Sequence, residues 1–489
     1  MVTQEAYDEL LKRHQALESR YEKLFAFVAY LKRMLFGRRS ERLISPAASL
    51  QGTLFDLEPV LDETEERKDT ITYERRKGSR KGVHQGRNPF TEDMPAEEKE
   101  ILHEAADPET MERIGESVTE QLAMKPVQLY VKRYIYPKYK DPDTGLIFQA
   151  PAVESAFSRF KVDETVAAHV VVQKTVDHLP LYRQARIFER QKVTLAESTL
   201  GDIYSHVAKQ LLPLYEAHRR EVMDAGYLNV DETVIKVLDS DKKGSTHQGY
   251  YWVFHNPATR STLFHYHPSR SAAAPQHMLQ GYEGYLQTDA YAAYEEFGQV
   301  PGITLVGCLV HARRNFYEAR ASDRVLAEEA LARFSDVYAV EEQIRAAGIT
   351  GSEKLAWRQQ HAVPALNALH AWLREKYEVV QRPSSPMRKA IEYALKRWDK
   401  LSIYAQTDIL EPDNNRVENA IRPVAVGRKN YLFAGSHDAA QRSAMFYSLL
   451  GTCKAHGINP YDWLTDILRR LPSHPINRVR ELLPQHYRA

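Results

Sequence analysis

The stretch Leu228 to Asp239, LNVDETVIKVLD, decides the fold, and its core VDETV also occurs earlier, at Val162 to Val166. The two copies differ in their surroundings. After Asp231 comes the β-branched and apolar run Thr233, Val234, Ile235, Val237 and Leu238, which predicts a strand carrying a carboxylate. Around Asp163 the sequence RFKVDETVAAHVVVQKTVDHLPLYRQ keeps Val166, Val170 and Val176 at a period nearer three and a half than two, although Gln173 interrupts it. That copy predicts a helix start with Asp163 or Thr165 near the N-cap.

Downstream of Asp231 the pattern stays strand-like. GYYWVFHN (Gly249 to Asn256) and STLFHYHPS (Ser261 to Ser269) are aromatic and β-branched runs separated by the turn PATR, which together make a three-stranded meander. A helix is expected across Ser271 to Leu279. GYLQTDAYAAY (Gly284 to Tyr294) then gives a short strand ending in Asp289, and ITLVGCLVHARRNF (Ile303 to Phe316) a buried strand running into a basic helix start. Three antiparallel strands, a helix, a strand, a helix and another strand is the order of a ribonuclease H-like α/β fold. In that order Asp231 and Asp289 become neighbours at adjacent parallel strand ends. Otherwise they are two unrelated surface aspartates.

Two adjacent carboxylates repel unless a cation lies between them, and hard divalent ions such as Mg²⁺ or Mn²⁺ take such oxygens. Phosphoryl transfer uses two such ions ~4 Å apart, so a third carboxylate is expected on a helix returning to the same sheet edge. Between Leu326 and Gln406 the chain reads as helix throughout, an all-helical insertion without a strand candidate. LEPDNNRVENAIRPVAVGRKNYLFAGS (Leu410 to Ser436) follows, in which Asp413, Asn414 or Asn415 can cap a helix carrying Glu418, Ile421 and Arg422. Glu418 is the candidate third carboxylate. Its competing reading is an i, i+4 pair with Arg422 on a solvated face; Glu411 and Asp413 are rivals in the Pro-containing turn before the helix. Arg416, Arg422, Arg428 and Lys429, with His311, Arg313 and Arg314, are expected to ring the site as phosphate donors. A histidine just after a buried strand is also often a hydrogen-bonded core group.

The charge nearly cancels, 66 Lys plus Arg against 65 Asp plus Glu, so an argument for nucleic acid rests on local clusters. Two cysteines, Cys308 and Cys453, exclude a disulfide framework and an all-cysteine zinc site within one chain. Neither a membrane span nor a signal peptide is evident, and a cytoplasmic protein is expected.

Several domains are expected from 489 residues. In residues 1–43, Leu10, Leu17, Leu24 and Leu31 fall seven apart, with Tyr7, His14, Tyr21, Val28 and Leu35 as a second row, which predicts a homotypic coiled coil; the alternative is one amphipathic helix packed on its own domain. Residues 44–95 read as a charged flexible linker, since Asp56 to Asp69 holds seven acidic and two basic side chains and Glu74 to Arg87 six basic and one acidic. Residues 96–155 read as a small β unit, from the alternation in KPVQLYVKRYIYPKY (Lys125 to Tyr139). Residues 156–222 read as a helical, helix-turn-helix-like DNA-binding domain with Ser198 or Thr199 heading its second helix. Residues 223–322 form the first part of the core, 323–407 the insertion, 408–452 the core completion and 453–489 a C-terminal tail.

At these residues the chain resembles a family, the bacterial DDE transposases of the insertion sequence 66 type, large subunit. The matching pieces are VDET at Val230, TDAYAAY at Thr288, GCLVHARRNF at Gly307, DNNRVENAIRPVAVGRKNYLFAGS at Asp413 and GINPYDWLTDILRRLPSHPINRVRELLP from Gly457, with AAHVVVQKTVDHLPLYRQARIFERQ from Ala167 similar to the family's helical DNA-binding region. The resemblance favours Asp231 over Asp163. It implies an acidic triad at Asp231, Asp289 and Glu418, two Mg²⁺ or Mn²⁺ ions, and 3′-end cleavage and strand transfer without a covalent protein–DNA intermediate. The intervals are 58 and 129 residues, the second long enough for the insertion. Implied partners are double-stranded DNA of the element ends and target, a second copy of the chain, since two ends are processed together, and possible accessory proteins of the same element. Members of the family usually carry a cysteine-rich zinc-binding segment before the helical region; here that segment has no cysteine, His103 is a poor substitute, and zinc is not expected. A nuclease or resolvase on the same fold would use the same acids without joining, and a regulatory relic would carry a damaged triad.

Overall fold

The computed structural model describes residues 129–130, 138–140, 147–149, 157, 160, 162–238, 244–289 and 291–488. The expected coiled coil and linker lie outside these residues, as does most of the small β unit. What is described of that unit is an antiparallel pair, β1 (Lys138–Lys140) and β2 (Ile147–Gln149). Leu129 and Tyr130, expected in a strand, lie outside any strand.

Helices α1 (Glu164–Thr175), α2 (Leu181–Arg190) and α3 (Glu197–Met223) follow. Asp163 is the N-cap of α1, its Oδ1 accepting from the amides of Thr165 (3.1 Å) and Val166 (3.3 Å). This settles the earlier VDETV as a helix cap. Helix α3 starts before Ser198 and Thr199, with Ala196 at its N-cap and no side-chain cap bond. Apolar packing of Leu200 with Val170 and Phe188 holds that end instead.

The second copy lies in a strand. β3 (Tyr227–Leu238), β4 (Thr246–Asn256) and β5 (Ser261–His267) form the antiparallel meander, and after α4 (Ala273–Met278) come β6 (Gly284–Gln287), α5 (Ala292–Glu295) and β7 (Ile303–Val306). The sheet order is β5-β4-β3-β6-β7, with β6 parallel to both β3 and β7. Residues alternate between its faces. Leu228, Val230, Trp252 and Phe254 face a core built with α3 and the C-terminal helices, while Ile235, Val237, Tyr251 and Val253 face a second core containing Val417 and Val424. Asp231 shares the parity of Ile235 and Val237, and therefore the face covered by the Val417 helix.

Helix α6 (Leu309–Ala319) leaves β7, and the chain then stays helical through α7 (Arg324–Ala347), α8 (Gly351–Trp357), a π turn at Arg358–Ala362, α9 (Val363–Val379), α10 (Pro386–Lys396) and α11 (Trp398–Ser402). Phe316, Phe334, Leu369, Trp372 and Ile391 join these helices into one core that reaches Val306 at the sheet. The buried Arg358 holds its π turn by donating to both oxygens of Glu341 (2.8 Å each) and to the carbonyls of Tyr404 (3.0 Å) and Thr407 (2.7 Å).

Helices α12 (Asn415–Tyr431), α13 (His437–Ala455) and α14 (Pro460–Arg470) complete the chain with short 3₁₀ turns. Trp463, Leu464, Ile467 and Leu482 bury the tail in the core shared with α1 and α3. Glu221 of α3 fastens it further, accepting from Arg480 (2.7 Å), Gln485 (3.0 Å) and His486 (2.8 Å). Among the described residues there are fourteen α-helices and one five-stranded mixed sheet, and none of those helices is long and apolar enough to cross a membrane.

Candidate active site

Parallel pairing aligns Asn229 with Gln287, so two residues further on Asp231 and Asp289 leave the same sheet edge side by side. β6 ends at Gln287, and Asp289 sits in the turn beyond it, fixed by the Tyr291 amide donating to its Oδ1 (2.9 Å). Burial raises the Asp231 carboxyl well above the usual carboxylate range, with the negative charges of Glu232, Asp289 and Glu418 adding to the effect. Burial also raises Asp289, while the Tyr291 amide and the guanidinium groups of Arg270 and Arg397 oppose it.

Glu418 reaches this edge because the chain before α12 is tied to the sheet. Asn414 donates from its side-chain amide to the Val230 carbonyl (2.9 Å) and from its backbone amide to Cys308 Sγ (3.2 Å). The Gln287 side chain donates to the carbonyls of Gly307 (3.1 Å) and Glu411 (2.9 Å), and the Leu309 amide donates to the Pro412 carbonyl (3.0 Å). Asp413 is buried and accepts from the Asn415 amide (3.1 Å), while Glu411 accepts from Arg416 (2.7 Å). Both rivals are thus engaged in the turn. Glu418 faces α6 instead, 3.8 Å from His311 Nε2 and 3.9 Å from Arg314 Nη2.

The cations divide by location. Arg313 and Arg314 are on α6 beside His311; Arg422 and Lys429 are exposed on α12. Arg428 donates to Thr233 Oγ1 (3.2 Å) and to the Val234 carbonyl, which pins α12 along β3. Arg416 donates to Glu411 of the turn before α12 (2.7 Å) and is engaged there.

Side chains that sequence reasoning passed over support the aspartates. Glu232 receives Arg270 Nε (2.9 Å) and the Tyr294 hydroxyl (2.7 Å), and the Arg270 guanidinium lies 3.8 Å from the centre of the Tyr291 ring. One chain of contacts therefore runs from the residue after Asp231 to the turn that holds Asp289. Glu232 was visible inside VDET as a second acid; Arg270 and Tyr291, 38 and 59 residues away in sequence, carried no local signal.

Two donor sets are available to a metal. Cys308, His311 and Glu418 place ligand atoms within 4.8 Å of one another, the one such group of three among the described residues. Burial pushes the Cys308 thiol up to about 12, and its sulfur accepts the Asn414 amide, so it stays a neutral thiol at physiological pH, a poor metal ligand. Asp231 and Asp289 offer only hard oxygens, and their mutual repulsion is what a divalent cation would relieve.

The profile described as Transposase IS66 family matches residues 159–442, more than half of the chain. The chain belongs to the IS66 transposase family. The IS66 C-terminal element matches residues 448–485, and a profile described as Transposase C of IS166 homeodomain matches residues 23–98, across the end of the expected coiled coil and beyond the linker. Two proteins of Sinorhizobium fredii (strain NBRC 101917 / NGR234) are similar along nearly the whole of this IS66 chain. The uncharacterized protein y4hP is 31% identical over 505 residues, covering 97% of this chain and 89% of its own. The uncharacterized protein y4jD is 32% identical over 516 residues, covering 98% of each.

Proposed function

We propose that this IS66 protein cuts and joins DNA at the ends of a mobile element with Asp231, Asp289 and Glu418 as its catalytic triad, on a ribonuclease H-like core made of residues 223–322 and 408–452. One observation carries the reading: the parallel register of β3 and β6 brings Asp231 and Asp289 to one sheet edge, and the bond from Asn414 to the Val230 carbonyl ties the start of α12, which carries Glu418, to that same edge. The sheet order supports it, as does the helical stretch between β7 and α12. Residues 1–43 would bring at least two copies together, and residues 23–98 and 156–222 would bind element DNA, with or without accessory proteins of the element.

The chemistry is two displacements at phosphorus. Water attacks the phosphodiester at the element end and the 3′ oxygen leaves, taking a proton to become a hydroxyl; that hydroxyl then attacks a target phosphodiester, whose own 3′ oxygen leaves. Asp231, Asp289 and Glu418 would hold two Mg²⁺ or Mn²⁺ ions, which supply activation of the attacking oxygen and charge neutralisation of the leaving one. Glu232, Arg270 and Tyr291 hold the aspartates at the sheet edge. His311 and Arg314 orient Glu418 and offer donors to a phosphate oxygen, and Arg422 and Lys429, exposed on α12, take phosphates further along the duplex.

The test is cleavage and joining of a labelled element-end duplex with Mg²⁺ and a plasmid target, wild type beside Asp231→Asn, Asp289→Asn and Glu418→Gln. Loss of both steps in all three, with DNA binding kept, supports the triad. Activity in Glu418→Gln moves the third role to Glu411 or Asp413, and cleavage without joining by the wild type makes the protein a nuclease.

A further inference from the structure

Beyond α12 the chain makes a turn that an ordinary leucine avoids. Leu432 has φ +62° and ψ −43°, and the Phe433 amide donates back to the Tyr431 carbonyl at 2.7 Å, a γ-turn of the strained hand. The turn is held rigidly at both ends. On one side the Tyr431 hydroxyl bonds that of Tyr447 (2.9 Å), and its ring packs where a Cβ on Gly427 would collide at 2.6 Å. On the other side Ala434 bridges to Val237, its amide donating to the Lys236 carbonyl (2.8 Å) and its carbonyl accepting from the Leu238 amide (2.9 Å). Between these anchors two large apolar side chains stand in solvent, Leu432 at 61% exposure and Phe433 at 40%. Burial of these side chains would be the ordinary reason to accept strain here, and it does not occur.

The surroundings point to what they meet. Glu418, Arg422, Val426 and Lys429 follow at i, i+4, i+8 and i+11 on α12 and so share one face; Arg422 and Lys429 are exposed, and Val426 is 51% exposed. That face runs from the carboxylates to the strained turn. Fourteen residues of helix cover ~21 Å, and the six residues of β3 between Asp231 and Val237 cover ~20 Å. Both measures correspond to about six base-pair steps at ~3.4 Å each.

We propose that Leu432 and Phe433 form an apolar wedge that enters the base stack of duplex DNA about six base pairs from the phosphate being cut, with Arg422 and Lys429 on the intervening phosphates. This rests on the function proposed above and assigns it a contact outside the triad. Apolar side chains inserted at a base step unstack it, and exchange water contact for base contact, so the exposure is used only when DNA is bound. An apolar patch of two or three residues flanked by cations suits a base step better than a second protein surface.

The experiment uses the full-length protein and a 40-base-pair duplex of the element's terminal repeat, with single 2-aminopurine substitutions three to nine positions from the cleavage site. Binding of the wild type is expected to raise fluorescence most near position six. Leu432→Gly and Phe433→Ser are expected to abolish that rise and weaken duplex binding about tenfold. Leu432→Gly also separates function from folding, because glycine accepts the positive φ and its melting temperature should equal or exceed that of the wild type. The wedge is wrong if the wild type binds and cuts the duplex with flat fluorescence, if Leu432→Gly keeps the signal, or if either variant instead changes the oligomeric state in sedimentation. Failure of the wild type to bind or cut the correct end removes the functional reading itself, and the wedge with it.

Discussion

Asn414 and Val230, 184 residues apart, are joined by a buried hydrogen bond of 2.9 Å that places the start of α12 one residue from Asp231. The Asn414 backbone is fixed at the same time by the Cys308 sulfur. Replacing Asn414 by alanine leaves a buried carbonyl without its donor, which costs ~1–3 kcal/mol. The same change frees the helix carrying Glu418. Asn414→Ala should therefore lose at least tenfold in end cleavage beyond what its lowered melting temperature explains, while Asn415→Ala, exposed one residue later, should lose little. Cleavage rates compared well below the melting temperature decide it; equal rates would show that the tie is structural alone.

Asp231 yields a prediction with the opposite sign. A carboxyl raised above its unfolded value stabilises the fold only while protonated, so that contribution is present at low pH and lost as pH rises through the folded value. Above it the ionised group destabilises. Without metal at pH 7, Asp231→Asn should melt higher than the wild type, and Mg²⁺ or Mn²⁺ should raise the wild type's melting temperature while leaving the variant's unchanged. A variant that melts lower without metal would mean that the carboxylate is held by partners and not strained by its neighbours.

How much of this was legible depended on whether the signal was local. The strand around Asp231 and the cap at Asp163 could be separated by period alone, since alternation and helical spacing differ within a few residues. Asp289 and Glu418 followed once element order set the sheet. The support of the aspartates did not, because Arg270 and Tyr291 act through a guanidinium resting on a ring, a contact with no sequence period. Nor did the start of α3, where core packing overrides the capping preference of Ser198 and Thr199. The turn at Leu432 carried no glycine or asparagine to announce a positive φ.

The insertion has its own test. Arg358 is fully buried with Glu341, and its guanidinium also satisfies two carbonyls. Removing one partner of such a pair costs ~3–5 kcal/mol, because the other charge stays buried. Arg358→Met should sharply lower the melting temperature, and Glu341→Gln added to Arg358→Met should recover part of the loss. Denaturant midpoints for the four proteins of this cycle measure the coupling; an additive double variant would show that the two side chains do not depend on one another.

Acid should unfold the sheet through two histidines buried against β5. His218 Nε2 donates to the Thr262 carbonyl of β5 (2.9 Å), and His255 contacts Thr262 Oγ1 through Nδ1 (2.9 Å). Burial lowers both rings from 6.5 to about 4, with the Thr262 carbonyl opposing the shift at His218 and Arg416 adding to it at His255. Each ring is neutral in the fold and takes a proton more readily when unfolded. The stability this neutrality represents is complete above pH 6.5 and is lost as pH falls from 6.5 toward 4, ~3 kcal/mol for each ring at the lower end. Because a carbonyl oxygen can only accept, the Nε2 of His218 must carry the hydrogen. His218→Gln keeps a donor for that carbonyl and removes the titration. The wild type should lose melting temperature steeply between pH 6.5 and 4, and the variant less steeply. Parallel curves for the two proteins would assign the acid transition to other groups.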